Sequence, residues 1–327
     1  MGRITIIIAA VAGCIVAGAA DYPSADITNG AVRAKVWLPD PENGYYRATR
    51  FDWAGVIGSL EFRGNNYFAP WKEGHDPKDH EAVSGPVEEF LTDEAWAGAK
   101  PGDNVLKIGV GIIRKPEAAK YEFFKTYDIV NPGKWAVKTA PDQVEFTQTV
   151  ADDASGYGYE YHKTVRLAKD APNLILEHTL KNSGARAIDT RVYDHNFFVI
   201  DDQPSGPDFT VRFAFPLTPI DPNLKGIAQV RGDEVAYLRV LKPDEWVETR
   251  LSGFYDTPKD YNIRIENSKV GAGVRITADQ PLVDINFWSP RTAVCPEPLI
   301  KFHIEPGAEA KWRITYHFYT LPLTRRD

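Results

Sequence analysis

The chain has 327 residues, with 38 Lys and Arg against 45 Asp and Glu, which gives a net charge of −7. Its content of 43% hydrophobic and 25% charged residues excludes a disordered or fibrous chain, and an acidic balance without a long basic run argues against a nucleic-acid partner. The 25 Gly, 24 Pro and 12% aromatic residues favour β structure.

The first 20 residues are typical of a signal peptide. Arg3 supplies a positive charge, an apolar run follows from Ile4 to Val16, and small residues precede a cleavage position near Asp21. We therefore expect residues 1–20 to be removed and the protein to be periplasmic or secreted. We expect no membrane insertion after cleavage, because no later segment is apolar for long enough to span a bilayer.

An alternative is a lipid anchor. Val11-Ala12-Gly13-Cys14 resembles a bacterial lipoprotein box, in which Cys14 would carry the lipid. The apolar Ile15-Val16 that follows is unlike the polar tether usual in lipoproteins. If Cys14 leaves with the signal peptide, Cys295 remains alone and no intrachain disulfide can form.

Alternation with period two predicts strands throughout the rest of the chain. In Asn173–Lys181 the leucines and His178 share one face, and in Arg191–Ile200 the residues Tyr193, His195 and Phe197 share another. Further predicted strands are Gln143–Val150, Tyr159–Leu167, Tyr261–Glu266, Gly273–Ala278 and Lys311–Tyr319. Together, these seven predicted strands indicate an antiparallel all-β protein.

Helical signals are scarce. Pro86–Leu91 and Asp93–Ala99 are compatible with short helical turns, but no amphipathic pattern persists for three turns. Gly74–Gly102 is the least strand-like region, and we interpret it as a long functional or covering loop. Strands recur to the end without a linker-like break, so we predict one domain over residues 21–327, with less than about a tenth helix.

Three stretches carry a resemblance to a known family. Residues 47–60 have the form of a strand pair around a glycine turn, and residues 176–198 place an Asn-x-Gly turn before a strand that ends in His195 with aromatic neighbours. The third stretch, Val294-Cys-Pro-Glu297-Pro, is followed by Pro306-Gly307 and an aromatic strand. Together they resemble the galactose mutarotase-like, or aldose 1-epimerase-like, family. The family's Asn-Arg pair and first active-site histidine have no clean match; His75-Asp-Pro-Lys-Asp-His80 stands in that region instead.

The resemblance implies a large antiparallel β-supersandwich with few short helices, whose concave sheet binds a mono- or oligosaccharide. It also implies interconversion of anomers. That reaction needs a base at the anomeric hydroxyl and an acid at the ring oxygen, and it requires no cofactor. The sequence does not indicate the oligomeric state.

Glu297 is the candidate base and His195 the candidate acid. Glu297 lies between two prolines, which favour an extended backbone and remove amide donors, so its carboxylate would be rigidly presented. His195 shares a strand face with Tyr193 and Phe197. A surface glutamate and a buried structural histidine are the alternatives from the residues alone, and the family resemblance favours the catalytic interpretation.

The candidate substrate contacts are less specific. Arg47 and Arg50 are three residues apart, so on a regular strand only one of them faces the site. A guanidinium there would bond a hydroxyl or form a structural ion pair. Trp288 is a candidate for stacking on a sugar face. His75 and His80 are candidate hydroxyl contacts on a polar loop, and we prefer this to a metal site because their spacing is a weak ligand pattern.

Two other classes of function remain open. A non-catalytic carbohydrate-binding protein would keep the aromatic surface without a positioned acid and base. A polysaccharide lyase or hydrolase would need a Tyr/His or paired-carboxylate arrangement in a longer cleft. The distance between Glu297 and His195 in the folded protein distinguishes these classes. A pocket that spans one sugar ring between the two residues favours the mutarotase, and the absence of a shared pocket favours a binding or structural role.

Overall fold

A computed structural model describes residues 22–219 and 224–322, so the predicted signal peptide and Cys14 lie outside the described residues. Of the described residues, 49% are in strands and 3% in helices, which confirms the all-β prediction. The elements in chain order are β1 Ser24–Thr28, β2 Val32–Trp37, β3 Ile57–Phe62, β4 Asn65–Asn66, β5 Val87–Phe90, α1 Asp93–Ala97, β6 Asn104–Lys107, β7 Gly111–Arg114, β8 Ile129–Asn131, β9 Lys134–Ala140, β10 Gln143–Asp152, β11 Tyr157–Leu167, β12 Asn173–Asn182, β13 Ile188–His195, β14 Phe209–Arg212, β15 Thr218–Pro219, β16 Ala228–Arg231, β17 Glu234–Tyr237, β18 Trp246–Ser252, a 3₁₀ turn Pro258–Asp260, β19 Asn262–Asn267, β20 Ala272–Ala278, β21 Asp284–Pro290, β22 Cys295–Ile304 and β23 Glu309–Thr320.

The strands form two large antiparallel sheets and two small ones. The ten-stranded sheet has the order β16-β17-β14-β19-β20-β23-β12-β11-β10-β9, and the six-stranded sheet has the order β15-β18-β21-β22-β13-β5. The small sheets are β1-β2-β3-β4 and β6-β7-β8. Sheets of this size match the predicted β-supersandwich.

The main hydrophobic core lies between the two large sheets. Leu176 and Ile314 enter it from the ten-stranded sheet, and Val192 and Ile300 enter it from the six-stranded sheet. Burial alternates along these strands, as in β23, because successive side chains point to opposite faces. The six-stranded sheet therefore has one face in this core and leaves its other face for a site.

A second apolar cluster packs on that other face. Phe51 and Trp53 from the loop after β2, and Trp96 from α1, pack with Cys295 of β22 and with Phe197, which follows the end of β13. This cluster fixes the loops that border the site. Cys295 is free and buried here.

The region from residue 74 to 102 differs in part from the expected long loop. It contains β5, which pairs with β13, where the sequence had suggested a helical turn over Pro86–Leu91. The helical turn expected over Asp93–Ala99 is present as α1. The prediction failed at β5 because a four-residue strand that is buried on both faces shows no alternation of polar and apolar residues.

Among the described residues, no helix has both the length and the apolar character needed to cross a bilayer.

Candidate functional site

The open face of the six-stranded sheet forms the floor of a pocket of about 490 Å³. Strands β5, β13, β21 and β22 supply polar side chains to it, and the loops around residues 50, 71, 81 and 123 form its walls. The side chains with the most direct bearing on chemistry are Glu297, His195, Arg50, Glu89, Tyr193 and Asn286.

Strands β13 and β22 separate at the pocket. Their hydrogen-bonded ladder ends at Tyr193 opposite Leu299. Pro298 and Pro296 follow on β22 and have no N–H to donate, so the ladder cannot continue. The side-chain amide of Asn196 donates to the carbonyl of Pro296 instead, at 2.9 Å. The proline pair thus opens a gap between the strands at the glutamate that it encloses.

Glu297 and His195 meet at this gap. The Oε1 atom of Glu297 lies 3.2 Å from Nε2 of His195, and the two side chains are only 7% and 5% exposed. The amide of Asn286 donates to the other carboxyl oxygen at 3.0 Å. The structure therefore brings the predicted base and the predicted acid into one pocket and into direct contact.

Burial shifts the pKa values of this pair in opposite directions. It raises the pKa of Glu297 to about 8, against the opposing effects of the Asn286 bond and the charge of Arg50. Burial and the positive charge of Arg50 lower the pKa of His195 well below 6.5. At neutral pH the carboxyl is protonated and the imidazole is neutral, so the pair holds one exchangeable proton.

The imidazole is held by aromatic rings on several sides. Phe197 stacks on it with a centroid distance of 3.7 Å, and Trp288 and Phe51 meet it edge-on at 5.5 and 5.6 Å. Nε2 faces Glu297, while Nδ1 is buried without a hydrogen-bond partner among the described residues. Nε2 is therefore the nitrogen positioned to exchange a proton in the pocket.

Arg50 is fixed by a buried cluster beside the pair. Its Nε donates to Glu89 at 2.8 Å and its Nη2 donates to the Tyr193 hydroxyl at 3.2 Å. The Tyr193 hydroxyl in turn donates to Glu89 at 2.5 Å, and Lys107 Nζ lies 3.6 Å from the same carboxylate. Within the described residues no hydrogen bond occupies Nη1 of Arg50, so that donor is available to a ligand.

A second buried polar cluster lies behind β5, where Glu88 meets side chains of the ten-stranded sheet and of the loop after β2. Lys163 Nζ contacts Glu88 and lies 3.7 Å from Asp52, and His178 Nε2 lies 2.7 Å from Glu88. The Tyr161 hydroxyl donates to Asp52 at 3.0 Å. All five side chains are buried within the core. His178 is thus part of this buried cluster and does not line the pocket.

Three of the five predicted substrate contacts, His75, His80 and Arg47, lie apart from the pair. His75 stacks on Tyr45 at 4.0 Å and bonds its carbonyl, and Arg47 donates to the Glu42 carbonyl at 2.5 Å, so neither lines the pocket. His80 lies just beyond the rim, 5.9 Å from the Phe123 ring. Arg50 and Trp288 do line the pocket. Among the described residues, no group of three or more His, Cys, Asp or Glu side chains is arranged to hold a metal ion.

Sequence reasoning missed several residues of the pocket. Glu89 was hidden by the helical interpretation of its segment, whereas alternation on a strand would have placed one of the two consecutive glutamates on each face. Tyr193 shares the predicted face of His195 and could have been chosen on that ground. Asn286, Glu248 and Phe123 carry no local signal, because only the pairing of distant strands and loops places them here.

Comparison with known proteins supports the fold. No protein-family model matches the chain, and no curated protein matches its sequence. The structure is similar to the Slr1438 protein of Synechocystis sp. PCC 6803, with TM-score 0.56 and 12% identity over 92% of this chain and 97% of that one. It is also similar to a GalM/aldose epimerase homologue from C. elegans, with TM-score 0.54 and 12% identity over 92% and 100% of the two chains.

A galactose mutarotase-like protein from Lactobacillus casei ATCC 334 gives TM-score 0.53 and 12% identity over 90% of this chain and 100% of that one. The resemblance to the galactose mutarotase-like family is thus confirmed at the level of the fold. At this identity the likeness does not carry over the activity of any of these proteins.

Proposed function

We propose that the protein is a sugar mutarotase that interconverts the anomers of an aldose by general acid–base catalysis. The observation that carries this proposal is the contact of 3.2 Å between Glu297 and His195 in a pocket lined with aromatic and hydrogen-bonding side chains. A base and an acid of unlike pKa, held together and shielded from water, are what ring opening requires.

The reaction moves one proton at each of two oxygens. Glu297 as carboxylate takes the proton of the anomeric hydroxyl while His195 as imidazolium gives a proton to the ring oxygen, and the C1–O5 bond breaks. The open aldehyde rotates about the C1–C2 bond. His195 then recovers the ring hydroxyl proton as O5 attacks C1, and Glu297 returns its proton to the new anomeric oxygen.

The proton count of the pair suits this cycle. A protonated Glu297 beside a neutral His195 holds the same number of protons as a carboxylate beside an imidazolium, and one transfer along the 3.2 Å contact interconverts them. The first state is the resting form of the pair, and the second is the form that transfers protons to and from the sugar. No proton need be drawn from solvent during a turnover.

The two groups are in contact at 3.2 Å, which is closer than the one sugar ring expected to lie between them. The ring oxygen and the anomeric oxygen are bonded to the same carbon, so the groups that serve them must be near neighbours. The sugar therefore lies over the pair, with its anomeric edge toward both groups. Trp288, which meets His195 edge-on at 5.5 Å, would contact the ring from the side.

Two neighbours would orient the sugar. Asn286 donates to Glu297 Oε2, so Oε1, which also faces His195 Nε2, is the oxygen that would accept the proton of the anomeric hydroxyl. Arg50 would donate from Nη1 to a ring hydroxyl, because its other bonds to Glu89 and Tyr193 hold the guanidinium plane fixed. The charge of Arg50 also lowers the pKa of His195, and its repulsion with the imidazolium is relieved when the imidazole gives up its proton.

A lyase mechanism through a tyrosine base fits the pocket less well. Burial and the charge of Glu89 raise the pKa of Tyr193 well above 10, so this hydroxyl does not ionise near neutral pH. A non-catalytic sugar-binding protein is the alternative that the experiment below separates from the mutarotase.

We further propose that the mature protein is exported and begins near Asp21. The apolar N-terminal run and its small-residue boundary support this. Mass spectrometry of the exported protein tests it: a mass beginning near residue 21 is expected, and a lipid-sized addition on Cys14 would establish the anchored form instead.

One-dimensional NMR of anomer exchange across a panel of free aldoses tests the activity. Glu297→Gln keeps the shape but removes the basicity, so we expect exchange to fall by about 10²-fold or more, and His195→Asn to act similarly. Binding of the sugar should survive both changes. Glu305→Gln, a change to an exposed carboxylate, is the matched control and should exchange at the parent rate.

If the unmodified protein interconverts the anomers of none of the aldoses, the mutarotase proposal is contradicted and a non-catalytic sugar-binding protein is favoured. Parent-like exchange by both Glu297→Gln and His195→Asn would contradict the assignment of the pair.

A further inference from the structure

The pocket is larger than one sugar ring. A hexose occupies on the order of 200 Å³ at the packing density of a protein interior. The cavity over Glu297 and His195 measures about 490 Å³. A single reducing sugar over the pair leaves room for a second unit.

A second cavity continues from the first. It measures about 270 Å³ and shares Leu91 and Asp93 with the main pocket. Its other walls include Arg191 and Lys301, which are paired on β13 and β22 two residues beyond Tyr193 and Leu299. The open face of these two strands thus leads directly from the pocket into the second cavity.

Exposed aromatic rings border the main pocket. Phe123 is 45% exposed and Trp246 is 40% exposed, although both line the cavity. Arg50 lies 4.4 Å over one face of the Phe123 ring, and Lys225 Nζ lies 3.3 Å over one face of the Trp246 ring. The opposite face of each ring is the one that can stack on the apolar face of a sugar. Phe123 lies in a loop and Trp246 lies on β18, so the pocket entrance has aromatic rings in addition to Trp288, which would contact the first sugar.

The charges of the cleft favour an uncharged ligand. The lining of the main pocket includes four carboxylates, Glu81, Glu89, Asp93 and Glu248, and the protonated carboxyl of Glu297, against the guanidinium of Arg50. Arg50 is already paired with Glu89, and Arg191 in the second cavity is paired with Asp93 at 3.0 Å. A phosphate or a carboxylate would meet repulsion here, whereas hydroxyl groups both donate to and accept from such side chains.

We propose that the natural substrate is a neutral oligosaccharide of about two to four units, whose reducing-end sugar lies over Glu297 and His195. The following units extend past Phe123 toward Arg191 and Lys301, whereas Trp246 lies at the opposite end of the pocket, beyond Trp288 and Cys295. This proposal rests on the proposed mutarotase activity, and it adds the substrate class. The two cavities together hold roughly three hexose units.

The test compares sugars that share a reducing unit. Anomer exchange and binding are measured for glucose, cellobiose and cellotriose, and for galactose and its β-1,4-linked disaccharide and trisaccharide, with glucose 6-phosphate and glucuronate as anionic probes. We expect kcat/KM and the association constant to rise at least about tenfold from the monosaccharide to the trisaccharide of the series that the enzyme accepts. We expect both anionic probes to bind more weakly than glucose.

Lys301→Ala isolates the second cavity, because Lys301 lies outside the main pocket. This variant should lower kcat/KM and the association constant for the trisaccharide by at least about threefold and leave anomer exchange of the monosaccharide unchanged. Lys138→Ala, on the far sheet, is the matched control.

Equal kcat/KM and equal affinity for monosaccharide and trisaccharide would overturn this proposal and leave the mutarotase intact. If no sugar is exchanged, the mutarotase fails, and the binding series still decides the oligosaccharide proposal on its own: tighter binding of the longer sugar, weakened by Lys301→Ala, supports it, and length-independent binding overturns it.

Discussion

Glu88 and Glu89 are consecutive residues of β5, yet they belong to two different buried clusters. Glu89 points to the open face of the six-stranded sheet, where it binds Arg50. Glu88 points into the core, where it contacts Lys163 and His178. Because successive side chains of a strand point to opposite faces, β5 contributes one glutamate to the pocket and one to the ionic cluster behind it. The positions of both glutamates therefore depend on the backbone of this four-residue strand.

The first prediction concerns the cluster behind the site. Lys163→Met leaves Glu88 in the core without its cation, so we expect the free energy of unfolding to fall by about 3–5 kcal/mol. The double variant Lys163→Met/Glu88→Gln removes the unpaired charge and should recover part of that loss. Urea unfolding followed by tryptophan fluorescence measures both.

Lys138→Met on the exposed part of β9 is the control and should change stability by less than about 0.5 kcal/mol. A loss for Lys163→Met no larger than that of the control would show that Glu88 does not depend on its cation.

Much of the fold could be predicted from the sequence because its long strands alternate. The predicted strands at 143–150, 159–167, 173–181 and 311–319 all lie inside strands of the structure. β5 escaped prediction because its four residues, Val87–Phe90, are all buried and show no period of two. Strands of the edges and small sheets, such as β4 and β15, are too short for any pattern to emerge.

The site was predictable in part for a similar reason. Glu297 is marked by its two prolines, and His195 by its strand face and its neighbours. Arg50, in the loop between β2 and β3, is buried against Glu89 of β5, and no local sequence pattern near either residue predicts that contact. Which of Arg47 and Arg50 faces the pocket depends on the irregular chain between β2 and β3, where the period-two rule does not apply.

The second prediction is the pH dependence of kcat/KM. Above about pH 8 the pair loses its proton and no acid remains, so the rate should fall by about tenfold per pH unit. Toward low pH the rate should hold to well below 6.5, because burial and Arg50 oppose a second proton on His195. NMR exchange rates between pH 5 and pH 10 measure the profile, and a maximum above pH 9 would contradict the protonated state assigned to Glu297.

The third prediction concerns stability. The pKa of Glu297 is raised from 4.5 to about 8 in the folded protein, so its protonated form is the one that the fold favours. The contribution is fully present below pH 4.5 and is lost as the pH rises through 8. Glu297→Gln removes this dependence, so we expect the variant to exceed the parent in Tm by at least about 2 °C at pH 9 and to match it near pH 4.5.

Thermal unfolding by circular dichroism at the two pH values measures the difference. Glu305→Gln, at an exposed carboxylate, should show the parent's pH dependence. Equal Tm differences between Glu297→Gln and the parent at both pH values would contradict a raised pKa.

The fourth prediction tests the backbone that carries His195. Gly85 packs against this segment so closely that an added Cβ would lie 2.7 Å from the His195 carbonyl oxygen and 2.6 Å from the Phe197 nitrogen. Because both neighbours are backbone atoms, they can yield only if the strand end moves. Gly85→Ala should therefore shift His195 away from its contact with Glu297 and lower anomer exchange by at least about tenfold, because general acid–base catalysis requires hydrogen-bond reach.

Gly98→Ala is the matched control, since a Cβ there has its nearest neighbour at 3.6 Å and the residue has helical backbone angles. It should retain the parent rate and fold. Far-ultraviolet circular dichroism checks that Gly85→Ala keeps its strands, and the chemical shift of the His195 ring protons reports the displacement directly, because the ring currents of Phe197 and Trp288 act on it at 3.7 and 5.5 Å. If Gly85→Ala keeps both the parent exchange rate and the parent shifts, the strand end tolerates the movement and the close packing at Gly85 has no part in positioning the acid.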